Sequence, residues 1–267
     1  MFLSRGNKET GEWIVKNAGI KKVGLELGGK NAIIIMDDAD LGLALKGVVW
    51  GAFGTTGQRC TAASRVIVSQ EVQKDFEKML VKKTSSLRLG PGISASTDIG
   101  PLINRKAVEK VHSYTEIGLS EGAKLLLGGK FGKGKGFFYE PTIFSEVSPK
   151  MRVAREEIFG PSLSIISASD VEEAIKIANS IEYGLSSSIY TRDVSNAFRA
   201  IEGIEAGITY VNSSTIGAEV HLPFGGVKGT GNGAREAGIF GIDEFSEVKT
   251  VYIDYSGRLQ RAQIDND

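Results

Sequence analysis

Short apolar runs alternate with longer amphipathic stretches along most of the chain. Runs rich in Val, Ile and Leu are typical of buried strands, and apolar residues recurring about every 3.6 positions are typical of helices. The predicted strands are Lys22–Glu26, Asn31–Met36, Val66–Ser69, Ala123–Leu127, Ser187–Tyr190 and Ile208–Val211. The predicted helices are Ala39–Phe53, Glu71–Leu87, Arg105–Glu121, Val171–Asn179 and Ser195–Glu202. This alternation predicts an α/β fold with a parallel, doubly wound sheet, helices on both faces and right-handed crossovers.

Two segments depart from this alternation. The Gly/Lys-rich stretch Gly128–Gly136 cannot form a core of its own and is predicted to be a surface loop. After a Gly-rich segment, Gly225–Gly241, the pattern predicts a final alternating strand at Val248–Tyr255. An unpaired strand of this composition is a template for another chain, which indicates an oligomer contact. An ordinary edge strand paired inside the fold is the other interpretation.

Composition narrows the class of protein. The 267 residues are 41% hydrophobic, enough for a large core. Thirty-two basic residues balance 32 acidic ones, and neither sign forms a long block, so we expect no nucleic-acid or anionic membrane partner. The longest apolar runs are shorter than the roughly 20 residues of a membrane span. We therefore expect a small-molecule partner.

The sequence has one cysteine and two histidines. One cysteine excludes an internal disulfide, and the three residues together are too few for a Cys/His zinc site, although carboxylate sites stay open. We accordingly expect no bound metal and a cytoplasmic location, where a free thiol stays reduced.

Cys60 is the first candidate for chemistry. It ends the run Gly57-Gln58-Arg59-Cys60, between a predicted helix and a predicted strand. A lone cysteine is more often a buried small hydrophobic residue than a nucleophile, but a glycine-punctuated loop lets the thiol meet solvent and substrate. Because a free thiol has a pKa of about 8.5, a base or a charged neighbour must help to form the thiolate.

Glu26 is the best candidate for that base. It ends the strand Lys22–Glu26 and is flanked by Leu25 and Leu27. Partial desolvation would raise its pKa from about 4.3 toward the range in which a general base works. A strand-end glutamate that faces solvent is the alternative.

Four segments together carry a family resemblance. They are Leu25-Glu26-Leu27-Gly28-Gly29-Lys30, Gly57-Gln58-Arg59-Cys60, Glu156-Glu157-Ile158-Phe159-Gly160-Pro161 and Pro223-Phe224-Gly225-Gly226-Val227-Lys228. In order and approximate spacing they resemble the signature segments of the aldehyde dehydrogenase superfamily, specifically its C-terminal, catalytic part. The resemblance implies a remnant of the dinucleotide-binding domain at 1–27, a catalytic domain at 28–230 and a C-terminal segment at 231–267. An oligomerisation strand at about 247–255 would complete a neighbouring subunit's sheet in a homodimer or homotetramer.

The same resemblance implies roles for individual residues. Cys60 becomes the nucleophile, and Glu26 the base that activates the deacylating water. Glu157 and Phe159 fall on positions that hold the nicotinamide ribose and ring; by themselves they would read as a loop carboxylate and a core aromatic. In the family mechanism the thiolate adds to an aldehyde, hydride passes to NAD or NADP, and water hydrolyses the thioester to a carboxylic acid.

The dinucleotide site is expected to be incomplete. Gly6 and Gly11 resemble the family's glycine pair at the helix facing the pyrophosphate, yet only five residues precede Gly6. The resemblance also implies that an N-terminal portion supplies most of that site and an asparagine of the oxyanion hole.

Further segments resemble the α-aminoadipic semialdehyde dehydrogenase branch. They are Gly184-Leu185-Ser186-Ser187-Ser188-Ile189, Ile216-Gly217-Ala218-Glu219 and Gly229-Thr230-Gly231-Asn232-Gly233-Ala234-Arg235-Glu236. This implies that Arg59, Gly217 and Ala218 anchor the distal end of a substrate, with Phe224 also at the substrate site. A structural salt bridge of Arg59 is the alternative. The Glu-Ile-Phe-Gly-Pro form around Glu157 departs from that branch.

The sequence is therefore consistent with three functions. The first is an NAD(P)-dependent aldehyde dehydrogenase that oxidises an aldehyde or semialdehyde. The second is a Cys60-dependent esterase or thioesterase that needs no cofactor, because only the redox step requires the dinucleotide. The third is a non-catalytic truncated homologue that folds and oligomerises.

Overall fold

The computed structural model describes residues 2–259, in which strands and helices alternate as far as Glu244. The strands are β1 (Phe2–Arg5), β2 (Val23–Glu26), β3 (Asn31–Ile35), β4 (Ala63–Ser69), β5 (Lys124–Leu127), β6 (Thr142–Ser145), β7 (Ser162–Ala168), β8 (Tyr183–Gly184), β9 (Ser186–Tyr190), β10 (Ile208–Val211) and β11 (Val227–Lys228). The helices are α1 (Lys8–Asn17), α2 (Leu41–Phe53), α3 (Gln73–Ser85), α4 (Arg105–Ser120), α5 (Arg152–Arg155), α6 (Val171–Asn179), α7 (Val194–Gly203) and α8 (Gly238–Glu244).

Seven strands form the central sheet, in the order β10-β9-β3-β4-β7-β6-β5. All neighbours are parallel except β5 and β6, which are antiparallel. The predicted parallel sheet is thus confirmed apart from one edge. At that edge the Gly/Lys-rich loop connects β5 to β6 without the helical crossover that a parallel neighbour requires. The loop is mostly exposed, as predicted.

Helices cover both faces of this sheet, as the alternation predicted. On one face Val48 and Phe53 of α2 and Phe76 of α3 pack against the strands. On the other face Ile177 of α6 and Ala200 of α7 belong to a second buried cluster. Strand β3 is buried along its whole length, which explains its uninterrupted apolar run.

A small parallel pair, β1 and β2, lies apart from the central sheet and carries α1. Its register places Arg5 beside Glu26. A Gly-rich segment from late in the chain is hydrogen-bonded to β2: the Leu27 N–H donates to the Thr230 carbonyl at 2.7 Å. This pair is the part that the resemblance assigns to the cofactor domain, and the boundaries at 27 and 230 stay predictions.

The C-terminal segment differs from the prediction. Residues 246–255 form neither helix nor strand, so the expected strand at Val248–Tyr255 is wrong for the single chain. Val248, Tyr252 and Tyr255 are each more than nine-tenths exposed. A strand needs a hydrogen-bonded neighbour, and the fold offers this segment none among residues 2–259, which also rules out the interpretation as an internal edge strand. Its role between copies of the chain stays a prediction.

None of the helices in the described part of the chain is long and apolar enough to cross a membrane.

Candidate active site

A cavity of about 890 Å³ brings most of the predicted site residues together. This volume is typical of a small-molecule site. The predicted residues that line it are Gly6, Glu26, Cys60, Glu157, Phe159, Ala218 and Phe224.

The loop that carries Cys60 connects α2 to β4 and is fixed by close packing. Gly57 has φ 66°, and a Cβ atom there would overlap the carbonyl oxygen of Gly160. Asn31 holds the other side: its amide nitrogen donates to the carbonyl oxygens of Cys60 at 2.7 Å and Ala62 at 2.9 Å. Asn31 is buried at the start of β3, so the backbone of Cys60 is attached to the central sheet. Sequence reasoning did not identify this role of Asn31.

The Cys60 thiol needs help to ionise. It is half-buried, and burial raises its pKa, with the nearby Glu26 carboxylate acting in the same direction. The Thr61 backbone N–H and the Arg5 guanidinium act the other way, more weakly than burial. The thiol is therefore mostly protonated at neutral pH, which agrees with the expectation that it requires a base.

Glu26 is placed to be that base. It is only 5% exposed, so the solvent-facing alternative is wrong. Burial raises its pKa to about 8, with the Glu236 carboxylate adding to the shift and Arg235 and Arg5 opposing it. Neither carboxyl oxygen has a hydrogen-bond partner among the described residues. A buried acid without partners keeps its proton until a group in the cavity accepts it.

Two later residues shape the wall around Glu26. A Cβ atom at Gly225 would lie 2.8 Å from Glu26 Oε1, so only glycine leaves room for the carboxyl. Phe224 and Glu236 exchange two backbone hydrogen bonds of 2.6 and 2.7 Å, which carry Glu236 to the cavity. Glu236 and Arg5 were not predicted as site residues.

Glu157 and Phe159 also line the cavity. The Glu157 carboxylate accepts the Gly29 N–H at 3.0 Å, and burial raises its pKa. Phe159 has φ 60° and is 41% exposed, so it is not a core aromatic. A left-handed backbone at a bulky residue costs about 1–3 kcal/mol, which is typical of functional positions. An acceptor carboxylate and an open aromatic face fit the ribose and ring of a nicotinamide.

The two predicted pyrophosphate glycines have different surroundings. Gly6 lines the cavity just before α1, whose N-cap Asn7 accepts the Thr10 N–H at 2.9 Å. Gly11 lies within α1, where a Cβ atom would be 2.7 Å from Leu27 Cδ1. Close helix–strand packing is therefore sufficient to explain Gly11, and the structure places it away from the cavity lining.

Only some of the residues predicted to anchor the substrate line the cavity. Ala218 and Phe224 line the cavity, whereas Arg59 and Gly217 are outside its lining. Arg59 is exposed and forms no ion pair with another residue of the 2–259 range, so the salt-bridge alternative is not observed. Its assignment to a substrate group stays a prediction.

Known proteins resemble this chain in sequence. Residues 2–251 match the profile described as the aldehyde dehydrogenase family. A betaine aldehyde dehydrogenase of Brucella anthropi is 42% identical over 255 residues, which is 93% of this chain and 52% of the relative. An alpha-ketoglutarate semialdehyde dehydrogenase of Haloferax volcanii is 42% identical over 257 residues, covering 94% of this chain and 53% of the relative.

Solved structures resemble it in fold. The crystal structure of an NAD-dependent aldehyde dehydrogenase from Sinorhizobium meliloti superposes with a TM-score of 0.93 at 36% identity, covering 97% of this chain and 52% of that one. A 1-pyrroline-5-carboxylate dehydrogenase gives a TM-score of 0.88 at 39% identity, covering 91% of this chain and 48% of that one.

The chain spans about half the length of the curated relatives it matches. The finer likeness to the α-aminoadipic semialdehyde branch stays a prediction. The profile match over nearly the whole chain and the shared fold confirm the superfamily resemblance. This chain belongs to the aldehyde dehydrogenase family.

Proposed function

We propose that this chain carries the acyl chemistry of an aldehyde dehydrogenase, which oxidises an aldehyde to a carboxylic acid through a thioester on Cys60. The observation that carries the proposal is that Cys60 and Glu26, 34 positions apart in sequence (60 minus 26), line the same cavity. Burial raises the pKa of both groups, so the thiol needs a base and the Glu26 carboxyl can exchange a proton near neutral pH.

The chain's own residues account for the proton transfers. When ionised, Glu26 accepts the thiol proton as the Cys60 sulfur bonds to the substrate carbonyl carbon. Glu26 then releases the thiol proton to solvent. After the acyl thioester has formed, ionised Glu26 accepts a proton from water while the water oxygen attacks the thioester carbon. The carbon–sulfur bond then breaks, the acid leaves, and the Cys60 thiolate takes the proton back from Glu26.

NAD or NADP would supply the two-electron acceptor for the oxidation. Glu157 and Phe159 would hold its nicotinamide ribose and ring, and Gly6 would face its phosphates at the beginning of α1. Because the chain covers about half the length of its relatives, the binding of NAD or NADP by this chain is part of the proposal.

We infer that the substrate is a small aldehyde. Relatives named as betaine aldehyde and alpha-ketoglutarate semialdehyde dehydrogenases support this class. Arg59, Gly217 and Ala218 remain the proposed anchors for the distal end of a semialdehyde. We also infer a homodimer or homotetramer joined by the C-terminal segment, and a reducing cytoplasm that keeps Cys60 as a thiol.

Hydrolysis of activated esters or thioesters is the second candidate function. Acylation and deacylation need only Cys60, Glu26 and water, and both side chains line the same cavity. This reaction also tests the shared acyl chemistry directly.

The test is p-nitrophenyl acetate hydrolysis by wild type and Cys60→Ala. We expect wild-type hydrolysis to rise with pH through about 8, as Glu26 loses its proton, and Cys60→Ala to lose at least about 100-fold. Equal rates in the two proteins would leave the third function, a non-catalytic homologue, as the explanation.

NAD titration, followed by Trp13 and Trp50 fluorescence, separates the two catalytic functions. Saturable binding with NADH formation from aldehydes selects the dehydrogenase. Cys60-dependent hydrolysis without either signal selects the esterase.

A further inference from the structure

Two carboxyl groups share the wall of the cavity, and they are held in different ways. Glu26 ends β2 with no hydrogen-bond partner on either oxygen within residues 2–259. Glu236 is ion-paired to Arg5: the Arg5 Nε donates to Glu236 Oε1 at 3.3 Å, and a terminal guanidinium nitrogen contacts Oε2. Like charges in a poorly solvated site repel each other, so the charge of Glu236 acts on the protonation of Glu26.

The position of Arg5 makes it the link between the two acids. The parallel register of β1 and β2 places Arg5 directly beside Glu26. Its guanidinium spans to Glu236, whose side chain is only 11% exposed and whose backbone is fixed by the pairing with Phe224. The two-nitrogen contact is the geometry in which arginine binds a carboxylate best.

We propose that Arg5 is a positioning residue that binds Glu236 in an ion pair and leaves Glu26, which has no ion-pair partner among residues 2–259, as the carboxyl that takes up and releases the catalytic proton. This inference rests on the proposed role of Glu26 as the base. Glu236 contributes a fixed negative charge that favours protonated Glu26, and Arg5 limits the size of that effect.

Two other charged groups near the cavity, Arg235 and Glu157, are engaged in hydrogen bonds with the backbone. The Arg235 guanidinium donates to the carbonyl oxygens of Gly226 and Ala234, both at 3.0 Å. Glu157 accepts the Gly29 N–H. The titratable and charged groups that face Glu26 or line the cavity with it are Arg5, Cys60, Lys110, Glu157, Glu219, Arg235 and Glu236.

Removing either member of the ion pair should move the proton equilibrium in opposite directions. Arg5→Gln removes the cation that lowers the pKa of Glu26 and leaves the opposing effect of Glu236 in place. The pH midpoint of p-nitrophenyl acetate hydrolysis should therefore rise. In Glu236→Gln the anion is lost and Arg5 is unpaired, so the midpoint should fall. Because Arg5 is 73% exposed, each shift should be on the order of half a pH unit. The double variant Arg5→Gln/Glu236→Gln should return close to wild type.

A second readout does not depend on turnover. Iodoacetamide alkylation of Cys60 as a function of pH reports the thiol, whose ionisation Arg5 favours and Glu26 opposes. We expect its midpoint to rise in Arg5→Gln, because the cation that favours the thiolate is lost. The matched control is Arg199→Gln, which breaks an exposed ion pair with Glu172 on the surface of α6 and α7 and should move neither midpoint.

Shifts of the same sign in the two single variants, or none, would overturn the inference, because loss of a merely structural contact has no reason to reverse sign. If Arg5→Gln does not fold, Arg5→Lys must retain the wild-type midpoint while Glu236→Gln lowers it. If Cys60→Ala hydrolyses as fast as wild type, the proposed function fails, whereas the alkylation midpoints still decide the role of Arg5.

Discussion

Lys30 is a single residue whose position costs stability. It follows the glycines after Glu26 and is fully buried, and its Nζ has no partner among the residues described. Burial lowers its pKa to about 7, and the buried Arg65 guanidinium adds to the shift. The unfolded chain stays protonated up to about pH 10.5, so the folding penalty is fully present below pH 7 and shrinks as pH rises from 7 toward 10.5.

Lys30→Met keeps the length of the side chain and removes the amine. We expect it to raise the free energy of unfolding by about 1–3 kcal/mol at pH 6, and by less at pH 9. Urea denaturation at the two pH values measures the difference. Lys78→Met, at an exposed position of α3, is the control that should be nearly neutral at both. A variant less stable than wild type at pH 6 would mean that Lys30 has an unrecognised stabilising partner.

Residues that lie in a motif were predictable from sequence, and residues brought in by long-range pairing were not. Cys60 and Glu26 were identified from their segments, and the structure places both at the cavity. Arg5 reaches Glu236 across 231 positions. Glu236 ends one of the segments that carry the family resemblance, but nothing in that segment predicts its ion pair with Arg5. The burial of Lys30 could not be predicted from the sequence either, because a lysine that follows two glycines is usually an exposed loop residue.

At the scale of elements, the turn between α2 and β4 positions Cys60. Gly57 has φ 66°, and Gly57→Ala adds a methyl group that would overlap the backbone of Gly160. We expect a loss of about 3 kcal/mol in the free energy of unfolding, from left-handed strain plus the overlap, and slower Cys60 alkylation. The matched control is Gly19→Ala, at φ 65° with nothing within 4 Å, which should cost only about 1 kcal/mol. Equal losses in the two variants would show that contact with Gly160 is unimportant.

The predicted elements that were correct are the ones with strong periodicity. Val171–Asn179 and Ile208–Val211 were predicted to the residue. Strands β6 and β7 were missed because Thr142–Ser145 and Ser162–Ala168 mix hydroxyl residues with apolar ones, although both are largely buried. Their hydroxyls are satisfied internally, as when Ser164 Oγ donates to the Val153 carbonyl at 3.1 Å. Alternation of hydrophobic residues cannot reveal a hydrogen bond of that kind.

At the scale of the whole molecule, the exposed C-terminal segment is the proposed contact between copies. If it adds as a strand to another subunit, its backbone N–H groups must donate hydrogen bonds. We expect Ile253→Pro, which removes one N–H, to shift the population toward monomer in sedimentation velocity at micromolar concentration. Ile253→Ala removes the side chain, keeps the N–H and serves as control. A monomeric wild type, or an oligomer unaffected by proline, would contradict strand addition.

The pairing of β2 with the Gly-rich segment near Thr230 has a consequence for biosynthesis. Leu25 and Leu27 are bonded to Asn232 and Thr230, about 200 positions later in the chain. Contacts of such high sequence separation form late in folding and, on the ribosome, only after the distant segment has emerged. A nascent chain that ends before Gly225 contains Glu26 but lacks both Gly225 and the segment around Thr230, which border Glu26 and β2 in the folded protein. The burial that raises the pKa of Glu26 is therefore complete only after this segment has been synthesised and has paired with β2.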